Sequence, residues 1–490
     1  MDHLQLQATP TNLLTISHDL LIEIISRLDW QDIVRLRQII TPAYMQTCHV
    51  LHNASKSRAV WLSLYERAQS SRVGKTRLET PVELCTDDDL ELRTLRLLTS
   101  EVCWDSEDPI GIQRNLPRKT EDVLHIVEGG RWLLAAKSTG SVVYYDLDEE
   151  DPSERVLIPD QFEECLPTLT SDSDASKEGP FHIALHMYTE SGRSAGFGQT
   201  IVQIWQVAVQ VDSSDLSFQL VATKLTSFRG TGQRMLMTLS LCGDLVSYFS
   251  VFSRVVVVEW TSIEGDSMLG WTPLWQSSED AKTYNLSLAS GSKLVLLHLE
   301  HISILDLSDR HDKSTHSRPM TSCASWVIKE PIFYLDTISR PFFSRGTNTV
   351  RFVLVTNLDI YGLILPFGTR SDQDTSPPQF VKLQGSPVHI GGLTHGYHYS
   401  VAHPYSVALS HPYSVAHPES SELVIINHPW PDEPDWPSKW KMRHIDVAGD
   451  GWTRTLKPLI DELSGRIVLT PAQEYLSVLD FALTKPPVSN

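Results

Sequence analysis

The chain has 490 residues, with 41 Lys and Arg against 60 Asp and Glu, for a net charge of −19. An acidic chain with no basic stripe cannot neutralise phosphates or anionic lipid, which disfavours a nucleic-acid or membrane-surface partner. With 41% hydrophobic and 21% charged residues it is composed as a globular protein able to bury a large core, and its length favours two or three folding units.

The densest apolar runs, such as Val255–Val258 and Leu294–Leu297, fall far short of the roughly 18 residues that a spanning helix needs. The start, Met1-Asp2-His3, has neither the positive segment nor the apolar core of a secretory signal. Six cysteines, Cys48, Cys85, Cys103, Cys165, Cys242 and Cys323, are widely scattered without a C-x-x-C pair. That pattern fits reduced thiols better than a disulfide framework or a zinc site, so cytosol or nucleus is the expected address.

From about residue 16 to 103 the apolar residues recur at helical spacing. Leu20, Ile24 and Leu28 fall four apart, with Leu21 and Ile25 one position over, drawing a broad apolar stripe on one helix. Ser17 is suited to cap its start and Asp19 to sit in its first turn, where the helix dipole favours negative charge. A second helix is predicted over 32–38, with Ile33 and Leu36 on one face, a third over 57–65 containing Trp61, and a longer one over 89–103.

From about residue 120 the texture changes to strands joined by tight turns. Residues 131–147 read as a hairpin, two β-rich runs around the turn Ser138-Thr139-Gly140-Ser141. Further hairpins are predicted at about 181–209, 243–260, 291–307, 349–365, 390–426 and 464–482. Several end in an aromatic or apolar residue beside an acid, as in Tyr145-Asp146, Glu259-Trp260 and Leu305-Asp306. The recurrence is close to that of β-propeller blades; seven units are expected, with six or eight open. Polar insertions separate the hairpins, at 170–179 and 308–318. Between residues 400 and 418 a short Ser-Val-Ala…His-Pro unit repeats three times, a slippage repeat expected in a surface loop.

The stretch Ile16-Ser17-His18-Asp19-Leu20-Leu21-Ile22-Glu23-Ile24-Ile25-Ser26-Arg27-Leu28-Asp29-Trp30-Gln31-Asp32-Ile33-Val34-Arg35-Leu36-Arg37 resembles the opening of an F-box. Ser57-Arg58-Ala59-Val60-Trp61 resembles its closing segment. The match covers about 50 of the 490 residues. The resemblance implies a small helical module that docks on the Skp adaptor of a cullin-RING ubiquitin ligase. Its contacts with the adaptor and within the module would come from Ile16, Leu20, Leu21, Ile24, Ile25, Leu28, Ile33, Leu36 and Trp61. A module this small exposes an apolar face unless a partner covers it. Two departures stand out. The usual Leu-Pro opening reads Ile16-Ser17, and residues 39–46, with Pro42 among them, interrupt a place where the pattern runs Arg37-Gln38 into Thr47-Cys48. These eight residues read as an insertion, because Pro42 would end a helix there. The helix over 87–104 and the hairpin beginning Gly129-Gly130-Arg131-Trp132 resemble fungal F-box proteins that carry a propeller-like C-terminal domain.

Other chemistry is weaker. Gly192-Arg193-Ser194-Ala195-Gly196 matches G-x-S-x-G, but a strand-like run follows where a nucleophile elbow needs a helix; a small-residue hairpin loop is the better reading. Gly74-Lys75-Thr76 lacks the glycine a phosphate loop requires, since Gln69 stands there. His389, His395, His398, His403, His411, His417 and His428 crowd one stretch. No cysteine joins them and three belong to the slippage repeat, so a solvated loop is favoured over a metal site. Trp430, Trp436, Trp440 and Trp452 form either a recognition surface or a rim between blades. The acid runs 146–151 and 87–89 are expected to be solvated loops or helix starts.

The expected architecture is multidomain: residues 1–15 a flexible N-terminus, 16–66 an all-α F-box, 67–115 a helical linker, 116–484 an all-β propeller-like domain and 485–490 a tail. The expected function is non-catalytic, a substrate-recognition subunit of a Skp–cullin–F-box ligase with an unknown protein target and no cofactor or metal. A propeller-type scaffold whose helical module does not dock is the alternative.

Overall fold

The computed structural model describes residues 16–38, 45–71, 82–106, 111–117, 123–173, 180–189, 198–211, 218–229, 236–250, 255–263, 265–267, 273–277, 283–298, 300–307, 322–327, 338–344, 347–355, 359–367, 377–385, 390–395, 399–404, 422–427, 430–432, 442–446, 458–472 and 475–482. The chain divides into two compact units. One takes residues 1–72, 80–109 and 481–490, the other 73–79 and 110–480.

The first unit is helical: α1 (His18–Ser26), α2 (Trp30–Gln38), α3 (Met45–Ser55), α4 (Arg58–Ser71) and α5 (Asp87–Asp105). The Ser17 hydroxyl accepts from the Leu20 amide at 3.4 Å and starts α1, with Asp19 in the first turn as the sequence suggests. At the start of α5 Thr86 and Asp89 form a reciprocal capping box, and Asp87, Asp88 and Asp89 lie in the first turn. Of the helices described, α3 was not foreseen from the sequence, because Met45–Ser55 mixes His, Thr, Asn and Cys without a clear apolar period. The expected insertion falls largely outside the described residues, between the end of α2 at Gln38 and the start of α3 at Met45.

One buried ionic node ties this unit together. Arg37 at the end of α2 donates to the Ser55 hydroxyl at 2.8 Å, to the Ser55 carbonyl at 2.7 Å and to both carboxylate oxygens of Glu91 on α5, one at 3.1 Å. Its guanidinium also lies over the Trp61 ring, 5.2 Å from the centroid. Arg37 thereby pins residues 18 and 54 positions further along the chain, in α3 and α5, so α5 is packed into the helical unit.

The second unit is built of antiparallel sheets, seven among the described residues. The first sheet joins Val123–Ile126, Trp132–Ala136, Val142–Asp146 and Arg155–Ile158. The second joins Leu166–Ser171, Phe181–Thr189, Gln199–Val211 and Phe218–Arg229, with Asp266–Ser267 added parallel at its edge. The third joins Leu236–Cys242, Leu245–Ser250, Val256–Glu259 and Trp275–Gln276; the fourth Thr283–Ala289, Lys293–His298, His301–Asp306 and Ser322–Val327. The fifth joins Phe342–Ser344, Thr349–Val355, Asp359–Pro366 and Gln379–Gly385; the sixth Ile390–His395, Tyr399–Pro404, Glu422–Asn427 and Met442–Asp446. In the last, Leu459–Asp461, Arg466–Ala472 and Tyr475–Asp480 are completed not by a following strand but by Ile112–Pro117 from the start of the unit. Apart from that returning strand and the parallel edge strand of the second sheet, the sheets are antiparallel meanders of strands taken in chain order, the layout of a propeller blade.

Successive sheets pack face to face, which explains the unbroken apolar runs. In Trp132–Ala136 every residue is buried: Trp132, Leu134 and Ala136 join a core shared with the second sheet, while Leu133 and Ala135 join one shared with the last. A strand covered on both faces has no polar side to show. Val255–Val258 and Leu294–Leu297 divide in the same way between neighbouring cores. No helix among the described residues is long and apolar enough to cross a membrane.

Candidate docking face and closure seam

In the helical unit the nine residues singled out from sequence separate by burial. Leu21, Ile25, Ile33 and Trp61 are buried in the unit's own core. Covered in this way, they hold the module together, the internal part of the contacts that the resemblance implies. Ile16, Leu28 and Leu36 are half-buried. Leu20 and Ile24, one turn apart on α1, stand 54% and 50% exposed. Two large aliphatic side chains side by side in solvent, on a helix already packed through Leu21 and Ile25, form an apolar patch open to a partner.

In the β unit the chain ends are joined by a buried charge network. Asp480, the last residue of the final strand, accepts from Arg114 on Ile112–Pro117 at 2.6 and 3.0 Å and from the Nε of Arg466. Arg466 also donates to Asp148 at 2.8 Å, to the Gly130 carbonyl at 2.7 Å and to the Leu147 carbonyl at 2.9 Å. Arg114 reaches the same Leu147 carbonyl at 2.8 Å. Two arginines thus bind the first sheet, the last sheet and the returning first strand. The neighbouring carboxylates hold the Arg466 guanidinium charged despite its burial.

The same chemistry recurs inside sheets. Arg131 grips Asp146 at 2.6–3.1 Å, and Lys293 pairs with Asp306, in each case from the start of the second strand to the end of the third. Arg466 and Asp480 occupy the equivalent places. Asp146 is therefore buried and paired rather than part of a solvated acid loop, a correction for the first residue of the 146–151 run, whereas 87–89 form the helix start expected of them. Sequence reading noted the acid that ends these strands but not its cation. The signal was present as Gly130-Arg131, Gly291-Ser292-Lys293 and Gly465-Arg466, each 13–15 residues ahead of its acid. Between sheets, Asp172 accepts from the Gly243 amide at 2.9 Å, and Asp461 from the Gly129 amide at 3.0 Å. Gly130, at φ 74°, has Ser464 so close that a Cβ would lie 2.0 Å from its hydroxyl.

A polar cluster lies among the first strands of the sheets. His125 Nε2 sits 2.8 Å from the Ser171 hydroxyl, and Arg340 is 3.4 Å from Asp461. Burial, helped by Arg340, pushes the His125 imidazole down to about 4. An imidazole so weakly basic is a poor general base for that serine. His186, between the second and third sheets, is pushed down to about 3 by burial alone, and neither ring nitrogen has a hydrogen-bond partner among the described residues.

Among the described residues no group of three or more His, Cys, Asp or Glu is placed to hold a metal ion. Ser194, Gly74–Thr76, Trp436, Trp440, Trp452 and the side chains of the seven clustered histidines lie outside the described residues. Trp430 is buried, with the Arg351 guanidinium 4.9 Å from its ring centroid and its ring against Gly362, so it belongs to the packing of the fifth sheet and not to a surface. Burial pushes the Cys165 thiol up to about 11, and Cys85, Cys165 and Cys242 are buried thiols outside any disulfide among the described residues.

No family model matches the chain, and no curated protein matches it. Among solved structures it is similar to the β-propeller domain of Cps50 (Swd1) from Myceliophteria thermophila, at 12% identity over 76% of this chain and 99% of that one, with a TM-score of 0.46. It is also similar to the WD40 domain of SCAP from fission yeast, at 11% identity over 77% and 95%, TM-score 0.40. Against Sqt1 of Saccharomyces cerevisiae the figures are 12% identity over 73% and 83%, TM-score 0.36.

Proposed function

We propose that this chain is the substrate-recognition subunit of a Skp–cullin–F-box ubiquitin ligase. An F-box at 16–66 docks on the Skp adaptor, and a seven-bladed propeller over about 116–484 holds a target protein. The mechanism is proximity: tethering raises the effective concentration of target lysines beside the charged ubiquitin-conjugating enzyme, and no residue of this chain takes part in bond making. The observation that carries the reading is the Leu20 and Ile24 pair, exposed on the helix that resembles the opening of an F-box. Ile16, Leu28 and Leu36 are half-buried, and an apolar helical stripe such as Leu20 and Ile24 make suits a grooved partner.

The alternative is a protein-interaction scaffold whose helical unit does not dock. It is favoured by the sequence at residues 39–46, with Pro42 among them, which interrupts the place where the family pattern runs on. A pull-down with purified Skp adaptor separates the two. The chain is expected to bind, and the Leu20→Asp/Ile24→Asp variant, altered only at exposed positions, is expected to fold normally and not bind. Binding only after deletion of residues 39–46, or no binding by either form, supports the scaffold.

A further inference from the structure

The hairpin of the fifth sheet that joins Phe342–Ser344 to Thr349–Val355 gathers three hydroxyls around one buried cation. Ser344 and Thr349 face each other across the ladder. Between them the chain turns through Asn348, whose φ of 50° lies in the left-handed region that asparagine tolerates. The Thr347 hydroxyl donates to that of Ser344 at 2.9 Å and lies 2.7 Å from that of Thr349. Arg351, its side chain fully buried, donates from Nε to the Thr349 hydroxyl at 3.2 Å and from Nη2 to the Thr347 hydroxyl at 3.1 Å. The same Nη2 donates to the Asp432 carboxylate at 2.6 Å, from a residue 81 positions further on whose side chain is 40% exposed. Ser344 is buried and Thr349 half-buried, whereas Thr347 stands exposed at the hairpin tip. Of the three hydroxyls, it is the one open to a second protein.

We propose that Thr347 is a phosphorylation site, and that its phosphate takes Arg351 from Asp432 and so releases residues 430–432 from the fifth sheet. In the transfer the Thr347 oxygen bonds to the γ-phosphorus of ATP while the bond to the β,γ-bridging oxygen breaks. ADP leaves with that electron pair, and the hydroxyl proton goes to the base of the kinase. Arg345 stands two positions earlier in the sequence, a cation that suits a basophilic Ser/Thr protein kinase, since such enzymes select substrates by charge pattern. The phosphate brings about −1.5 to −2 charges and three acceptor oxygens. Attached to an oxygen already 3.1 Å from Nη2, it meets a guanidinium whose planar fork matches phosphate, with the Thr349 hydroxyl beside it. Asp432 shares that nitrogen, so the two anions repel, and the half-exposed carboxylate has water to receive it. Trp430, one residue removed from Asp432 by Pro431, is drawn along. Its ring now packs over the Arg351 guanidinium and against Gly362, where a Cβ would lie 2.5 Å from it. The modification thereby trades a closed seam for an uncovered indole that a partner protein reads.

Phosphorylation of the full chain by the catalytic subunit of a basophilic Ser/Thr kinase with ATP tests both halves. Trypsin cuts after Arg345 and Arg351 and yields one peptide holding Thr347 and Thr349, whose fragmentation assigns the phosphate. It is expected on Thr347, and the Thr347→Val chain, altered only at an exposed position, is expected to unfold at the same temperature and to take none there. Amide hydrogen exchange then reads the seam. Peptides containing residues 430–432 are expected to exchange several-fold faster in the phosphorylated chain than in the unmodified one. Asp432→Ala is expected to raise exchange there without any phosphate, and phosphorylation to add little more to it. Phosphate on Thr349 alone, no phosphate on the hairpin, or phosphate on Thr347 with exchange at 430–432 unchanged would each overturn the proposal.

Discussion

The helical unit and the β unit solve the same problem with different amounts of apolar surface. In the β unit the first five sheets each share apolar cores with two others, and strands such as Trp132–Ala136 bury every side chain. The helical unit is thinner: α1 buries Leu21 and Ile25 and leaves Leu20 and Ile24 in water. Both units nevertheless finish their packing with a buried arginine held by carboxylates, Arg37 on Glu91 and Arg466 on Asp480 and Asp148. Apolar packing sets how well the layers adhere, while a fully partnered guanidinium specifies which distant segments meet, since its fixed fork accepts few arrangements. The helical unit keeps two neighbouring large aliphatic side chains, Leu20 and Ile24, in water on one helix, whereas those exposed in the β unit, such as Val156 and Val327, stand on separate sheets.

The largest effect that sharpens this contrast is expected at the closure. Arg466→Ala leaves Asp480 and Asp148 short of a buried partner and should cost about 3–5 kcal/mol, read as a lowered urea midpoint. A loss under about 1 kcal/mol would mean that apolar packing alone closes the β unit. Within α1 the two stripes should behave oppositely. Leu21→Ala or Ile25→Ala should cost roughly 2–5 kcal/mol by opening a cavity, measured by thermal unfolding.

Acid should act next, and through the β unit. His186 has a lowered folded value, so the unfolded chain takes up its proton first. The stability it contributes is complete above its ordinary value of 6.5 and is lost as the pH falls toward about 3. By pH 5 the loss should reach about 2 kcal/mol, at about 1.4 kcal/mol per unit, and His125 adds a loss of the same sign. Urea titrations at pH 7 and pH 5 check this, and His186→Leu should flatten the difference. The smallest effect on stability belongs to Leu20→Ala and Ile24→Ala, within about 0.5 kcal/mol as for exposed positions generally. Equal costs at Leu20 and Leu21 would erase the distinction between docking face and core.

Much of this was legible in the chain. The spacing of Leu20, Leu21, Ile24 and Ile25 marks α1, Ser17 marks its start, and the hairpin positions from 131–147 to 464–482 fall on observed strand pairs, because each is written in residues a few positions apart. The helix α3 was not legible, for want of an apolar period, nor was the membership of α5 in the helical core, which rests on Glu91 meeting Arg37 across 54 positions. Asp146 looked like one acid in a run; only the register that sets Trp132 opposite it brings Arg131 within reach.

By itself, then, the sequence determined the two textures, the helix faces and the repeating hairpins, since periods of 3.6 and 2 are properties of neighbours along the chain. Tertiary structure alone decided which of two equally apolar stripes on α1 is covered, that residues 112–117 pair with 475–480 at the far end of the unit, and which carboxylate each buried arginine meets. Such choices depend on contacts between residues tens to hundreds of positions apart, and local spacing carries no record of them.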